Sequence, residues 1–232
     1  MSEKKSEQVE RNDAVNQIDR FWKTYQKQIL YVLGALVLIV GGWYAYKQYV
    51  VKPKEEQAQA AIFKAEEYFR MDSLQLALNG TPSKGERGFL YIINNYGGTE
   101  TGNLARYYAG ICYLRLNDFD KAIKYLEDFD TDSKLIQMIA WGRLADAYSE
   151  KGQKSKAVDL YKKAGRHFPE EEINSSEFLF RAAQLLETEN KTKDAIEVYK
   201  ELKEKFPRSD KGGQADRYIY RLEVQQNEFT IK

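Results

Sequence analysis

The chain has 232 residues with 36 basic against 35 acidic, so a net charge of +1 offers no basic surface for nucleic acid. A single cysteine excludes an internal disulfide, and a single histidine excludes a histidine-based metal set. With 31 % charged residues the chain is strongly polar, which makes its one long oily stretch, "QILYVLGALVLIVGGWYAYK", the first feature to explain.

Within that stretch Ile29–Tyr46 is eighteen residues without a charge. As a helix it extends about 27 Å at ~1.5 Å per residue, against roughly 30 Å of bilayer hydrocarbon. Nine aliphatic residues between Ile29 and Val40 favour insertion by about 0.3–0.6 kcal/mol each. The run exits through Trp43, Tyr44, Tyr46 and Tyr49 rather than through small residues, so it lacks a cleavage site and reads as a retained signal-anchor over 29–50. Flanking basic residues balance on the two sides and leave orientation undecided by charge. Long C-terminal domains translocate largely regardless of charge, so the tail 1–28 is expected in the cytoplasm and residues 55–232 outside it. Gly34, Gly41 and Ala45 share a helix face on which a second span could approach closely.

In the tail, Val15, Ile18, Trp22, Tyr25 and Ile29 recur at spacings of three and four, which predicts a helix running into the span, either along the inner leaflet or as its extended first turn. Pro53 is expected to interrupt the backbone ladder past the membrane, with Glu55 and Glu56 in the first turn of a new helix. Beyond that point the pattern is helical and strand signals are missing. "NGTPSKGERG" (Asn79–Gly88) and "YGGTETGN" (Tyr96–Asn103) read as loops.

The remainder repeats. In "IAWGRLADAYSEKGQKSKAVDLYKKAGRHFP", Trp141, Leu144, Ala145, Tyr148, Gly152, Ala157, Tyr161, Ala164 and Pro169 fall at the signature spacings of the tetratricopeptide repeat, a helix–turn–helix unit. Ala145 and Ala157 allow the two helices to cross closely, the aromatic residues fill the seam, and Gly152 makes the turn. Companion units are expected at about 103–135 and 176–209 around this one at 138–171. The step from Ala157 to Ala195 exceeds that from Ala122 to Ala157, so "EEEINSS" is expected to lengthen one connecting loop. Residues 56–96 read as a degenerate first hairpin, with Ala61, Ala65, Tyr68 and Phe69 on one helix and Phe89, Ile92 and Ile93 on the next. Residues 213–224 read as a solvating end helix. The expected fold is all-α: a single N-terminal transmembrane helix followed by a tetratricopeptide-repeat α-solenoid.

No catalytic constellation is visible. Cys112 falls inside a repeat helix where a small apolar residue packs, and His167 lies in the last turn of another. Asp118, Asp120, Asp128, Asp130 and Asp132 fall in turns and lack the glycine and trailing glutamate of a calcium loop. No enzyme activity, cofactor or metal is expected. Function is then expected in the groove lined by each repeat's first helix, with Leu104, Tyr107, Ile111 and Arg115 from one repeat, Ile139, Gly142, Asp146 and Ser149 from the next, and Glu177, Phe180, Gln184 and Glu187 from the third. The lysine and asparagine pattern of carboxylate-clamping repeats is missing. An apolar or basic extended peptide, or an amphipathic helix, suits this lining, with Tyr107 and Phe180 as anchors.

Taken together, "VNQIDRFWKTYQKQILYVLGALVLIVGGWYAYKQY", with Val15, Phe21, Trp22 and Gly42-Trp43, and the repeats behind it resemble the YfgM-type ancillary subunits of the bacterial SecYEG translocon. That resemblance implies an inner-membrane adaptor or holdase with periplasmic repeats, working beside a PpiD-like chaperone and emerging secreted chains. A scaffold for another envelope machine, in cell division or outer-membrane assembly, is the alternative. A cytosol-facing receptor requires the opposite orientation.

Overall fold

The computed structural model describes residues 3–230, with side chains at 22, 23 and 25–226. It divides into two compact units, Met1–Lys54 and Glu55–Lys232. The first is built on one helix, α1 (Glu3–Tyr46), followed by a π-helical turn at Lys47–Val51. Its apolar residues are exposed around the whole circumference: Leu33 is 51 % exposed, Val37 70 % and Leu38 77 %. No face of the run is reserved for packing against its own chain, and the helix is long and apolar enough to cross a membrane. The tail backbone is helical from Glu3, while the side chains of Val15, Ile18 and Phe21 lie outside those described.

Pro53 lies at the expected break in the ladder, and Glu55 falls in the first turn of a new helix. The proline stands in the first turn of α2 (Lys52–Arg70), directly after the π turn, in which the Lys52 N–H donates to the Lys47 carbonyl five residues back. Proline lacks an N–H and crowds the carbonyl four residues before it, and a locally widened ladder accommodates both effects.

The second unit begins with α2 and α3 (Leu74–Asn79), followed by a small antiparallel ladder of β1 (Gly80–Thr81) and β2 (Glu86–Arg87) and by α4 (Phe89–Tyr96). The ladder corrects the expectation of a helical region without strands. It also corrects the first hairpin, whose turn lies at Asp72 and not in the glycine-rich stretch. That stretch instead splits the second helix of the hairpin into α3 and α4. The ladder is anchored by the Tyr68 hydroxyl, which donates to Glu86 Oε2 at 2.6 Å. A side chain at Gly80 (φ +71°) would meet the Glu86 carbonyl at 2.4 Å, so glycine is required there.

Three regular hairpins follow: α5 (Glu100–Arg115) with α6 (Phe119–Glu127), α7 (Lys134–Glu150) with α8 (Lys154–His167), and α9 (Glu172–Thr188) with α10 (Thr192–Lys205). The end helix is α11 (Asp210–Thr230). All four hairpins close alike. A left-handed residue sits two positions past the first helix: Asp72 (φ 58°), Asn117 (φ 60°), Gly152 (φ 77°) and Asn190 (φ 58°). The N–H of the next residue donates to a carbonyl five positions back: Ser73 to Tyr68, Asp118 to Tyr113 and Gln153 to Tyr148 at 2.9 Å, and Lys191 to Leu186 at 3.0 Å. This is the 6→1 closure of a Schellman cap, and asparagine, aspartate and glycine are the residues that tolerate the left-handed position.

The longer step between the last two repeats does not lengthen a loop. The second helix grows from nine residues in α6 to fourteen in α8, and only 168–171 joins α8 to α9. From α3 onward each helix packs on its sequence neighbours, and the first helices α5, α7, α9 and α11 also touch in succession. The apolar interior has two clusters. One is built on Ala58, Ile62, Ala65, Phe89, Ala109 and Cys112, the other runs from Ala122 in α6 to Leu222 in α11, and Tyr113 packs against both. Small residues permit the crossings: a methyl at Gly110 would meet Leu126 Cγ at 2.5 Å, and one at Gly142 would meet the Phe178 ring at 2.2 Å.

Candidate functional site

Along the first helices run two adjoining clefts of about 460 and 410 Å³ that share Ser149, Tyr161 and Arg181. The end of α5 contributes Leu114 and Arg115, α7 contributes Asp146 and Ser149, and α9 contributes Glu177 and Gln184. The groove thus draws on three consecutive hairpins.

Asp146 is its hub. Its Oδ1 accepts from the Tyr161 hydroxyl at 2.5 Å and from Arg181 Nη1 at 2.9 Å, while Oδ2 accepts from Arg143 Nη1 at 3.0 Å. Arg181 also donates from Nε to Glu177 Oε1 at 2.8 Å. Burial and then the Asp146 charge push the Tyr161 hydroxyl above the usual phenol range. For Arg181, burial opposes the charged form, and the Glu177 hydrogen bond and Asp146 overcome it. Burial likewise works against the Glu177 carboxylate, and Arg181 and Lys211 still hold its pKa below the ordinary carboxylate value. One hairpin later the arrangement recurs: Glu187 accepts from the Tyr199 hydroxyl and from Arg221, both at 2.7 Å. Each triad joins the two helices of one hairpin to the first helix of the next element. Apart from Glu150, which has no ion-pair partner among the described residues, the charges lining these clefts are paired within the chain, and the groove offers a partner neutral donors and acceptors at Ser149 and Gln184 between fixed ion pairs.

Of the residues expected in the groove, Arg115, Asp146, Ser149, Glu177 and Gln184 line these clefts. Arg115 donates to Asp72 Oδ1 at 2.5 Å, tying α5 to the turn of the first hairpin. Phe180 is a correction. It is 5 % exposed, packed edge-on to Tyr199 at 5.9 Å and Tyr218 at 5.1 Å, and anchors the interior rather than a ligand. Gly142 is likewise buried, under Phe178. Tyr107 is half-buried against Phe129 at 5.2 Å, Ile139 is half-buried on the larger core, and Ile111 is half-buried on α5. Tyr161 and Arg181 were not among the expected groove residues. Arg181, four residues after Glu177 and three before Gln184, follows from helix periodicity alone.

In α1, methyl groups added at Gly34 or Gly41 meet nothing within 4 Å, so nothing in the chain itself requires those glycines. Cys112 is fully buried, and desolvation pushes its thiol up to about 12. His167 lies edge-on to Trp141 at 4.7 Å, and Lys163 sits over the same indole at 3.6 Å. Among the described residues no group of histidine, cysteine or carboxylate side chains is disposed to hold a metal ion.

Helical hairpins closed by left-handed turns, crossing at alanine or glycine and stapled by aromatic residues, define a repeat protein of the tetratricopeptide type. The chain belongs to the tetratricopeptide repeat-like domain family, whose model matches residues 19–201. No curated protein matches it. Domains of this kind are scaffolds for protein–protein interaction. The family match opens ahead of the apolar run and takes in the whole of it together with the hairpins.

Proposed function

We propose that the protein is a membrane-anchored scaffold, in which residues 29–46 span a bilayer and the hairpins stack as a short α-solenoid whose groove binds another polypeptide without turning it over. The observation that carries this reading is the exposure of the apolar helix around its whole circumference, which water does not tolerate over eighteen residues and lipid does. Confinement in a membrane makes a weak groove effective, because a tether raises the local concentration of its partners toward the millimolar range. The resemblance of the tail, span and repeats to YfgM-type subunits favours a site beside the SecYEG translocon of the bacterial inner membrane. There the tail is cytoplasmic, the repeats are periplasmic, and a PpiD-like chaperone or an emerging secreted chain is the groove's partner.

The test is affinity purification of the full chain from native membranes. Recovery of SecY and a PpiD-like protein, lost when residues 29–46 are exchanged for an unrelated span that still inserts, is the expected result. Recovery of cell-division or outer-membrane assembly components without Sec subunits moves the scaffold to another envelope machine. Protease digestion of sealed vesicles reports the orientation: repeats digested only from the outer side of the membrane agree with the proposal, and repeats digested from the cytoplasmic side overturn it.

A further inference from the structure

The groove is not the only concave surface of the repeat unit. Where α5 and α7 begin, a separate cleft of about 420 Å³ is floored by Leu104, Phe129 and Ile136 and rimmed by Glu100, Asp130 and Asp132. Its apolar side continues onto solvent through Ile136 and the neighbouring Leu135, each more than a third exposed. The wall is fixed by the chain's own bonds. Asn103 donates from Nδ2 to the Asp130 carbonyl, and the Thr131 N–H donates to Oε1 of the buried Gln137 at 2.9 Å.

The rim differs from the opposite edge of the hairpins in one respect. At the turn edge most carboxylates are paired, Asp72 with Arg115 and Asp118 with Lys121 at 2.5 Å, Asp120 with Lys151, and Glu189 with Lys191 at 2.9 Å, while Glu150 and Asp194 stand singly among the described residues. At the cleft, among the described residues, Glu100, Asp130 and Asp132 have no lysine, arginine or histidine within ion-pair distance. The lysine of this connection, Lys134, is turned to the Phe168 ring of the next hairpin. The cleft also lies on the edge where the chain enters the unit. Glu55, its first residue, accepts from Thr101 Oγ1 at 2.5 Å, one residue after Glu100.

We infer that this cleft is a second docking site, separate from the groove, for a basic amphipathic segment of another membrane-associated protein, with an apolar side chain seated on Leu104 and Ile136 and lysine or arginine side chains supplying the cations that Glu100, Asp130 and Asp132 lack. An apolar floor gives such a segment area to bury, and unpaired carboxylates around it select the sign of its charge. The occupant is membrane-associated because the chain that carries the cleft is itself held at a membrane, and in this the inference rests on the anchored-scaffold reading.

The test uses the full chain in lipid discs of zwitterionic phosphatidylcholine. The probe is a fluorescein-labelled peptide of about nine residues carrying four lysines around one leucine, followed by anisotropy, with a glutamate counterpart and empty discs as references. The lysine peptide is expected to bind at about 50 mM salt and to weaken steeply by about 300 mM. The triple substitution Glu100→Gln, Asp130→Asn, Asp132→Asn weakens it about tenfold or more, and Ile136→Ser several-fold. Three carboxylates of the α8 and α10 surface, changed as Asp159→Asn, Asp194→Asn and Glu197→Gln, leave binding within about twofold. Undiminished binding by the cleft variants, an equal loss in the distant triple, or equal binding of the glutamate peptide overturns the inference. Flotation of the full chain with liposomes separates the two readings. A chain that does not float while its cleft still selects the lysine peptide defeats the anchor alone, and a floating chain with an indifferent cleft defeats the second site alone.

Discussion

Replacing Gly142 by alanine tests the inter-hairpin packing where it is tightest. The added methyl carbon would stand 2.2, 2.3 and 3.0 Å from three carbons of the Phe178 ring, so the ring has to retreat by more than an ångström to reach ordinary contact. It has nowhere to go: Phe178 is almost fully buried, and Tyr161 stacks on it with ring centroids 6.3 Å apart. Overpacking of a filled interior costs about 1–3 kcal/mol. Against this, alanine is favoured over glycine inside a helix by up to about 1 kcal/mol. With the ring unable to retreat, the upper part of the overpacking cost applies, about 2–3 kcal/mol, so Gly142→Ala is expected to lose about 1–2 kcal/mol net. Gly213→Ala, in α11 with nothing within 4 Å of the new methyl, keeps only the helix gain and is expected to be stabilised by up to about 1 kcal/mol. Urea unfolding of the full chain in a mild detergent, followed by far-ultraviolet circular dichroism, measures both against the parent. A Gly142→Ala protein as stable as the parent, or two substitutions shifting stability in the same direction, would refute the close packing of α7 against α9.

Three further outcomes follow from the same structure. Asp146→Ala removes the common partner of Arg143, Arg181 and Tyr161; because both arginines are partly solvated, the loss is expected at about 1.5–3 kcal/mol by denaturant titration, and Asp146→Asn, which keeps a hydrogen-bond acceptor, should lose less. Glu201 is opposed by burial but held down to about 2 by Arg166 and Lys205, so it adds stability above its unfolded value near 4.5 that is lost as pH falls from there toward 2; thermal melting across that window should be flatter in Glu201→Gln. The thiol of Cys112, buried and raised to about 12, should resist maleimide at pH 7 until denaturant is added, and labelling of the native protein would contradict its place in the interior.

The repeat spanning 139–169 was readable because every element of its physics is local. A small residue every few turns, an aromatic seam and a glycine turn all act within one hairpin. The first hairpin was misplaced for the opposite reason. Its turn at Asp72 has no glycine, and the Gly/Pro-rich stretch after it marks a β insertion instead. A comparison of "RMDS", "RLND", "EKGQ" and "TENK" at one register would have located all four left-handed positions, since asparagine and aspartate are the substitutes for glycine there. Phe180 was misassigned because helix periodicity fixes an angle around the axis but not what covers it. Tyr107, Gly142 and Phe180 occupy one register, ten residues before their turns, and each is packed against by an aromatic residue that follows in sequence: Phe129, Phe178 and Tyr218. Four residues later, at Ile111, Asp146 and Gln184, the same helices turn toward the groove, and Asp146 and Gln184 line its clefts.

That register also bears on why the array stops where it does. Ser175, Phe178 and Ala182 of α9 lie fifteen, twelve and eight residues before their turn, and all three are buried. The same positions of α2 are Gln57, Ala60 and Lys64, all exposed, so the leading side of the first hairpin is finished with polar and small side chains rather than left open for another unit. At the other end α11 presents Gln214, Arg217 and Arg221 to solvent while burying Ala215, Ile219 and Leu222. Among the described residues the large apolar side chains left exposed on these two helices are Phe63 and Tyr220, less than the face on which a further hairpin packs. What remains for a partner is the groove, where the charges apart from Glu150 are matched, and the cleft at the start of α5 and α7, where they are not. A groove of matched charges accepts a chain with little regard to its sign, whereas the unmatched rim discriminates. If the proposed reading holds, the groove along the first helices would capture chains broadly and the cleft at the start of α5 and α7 would select them by charge.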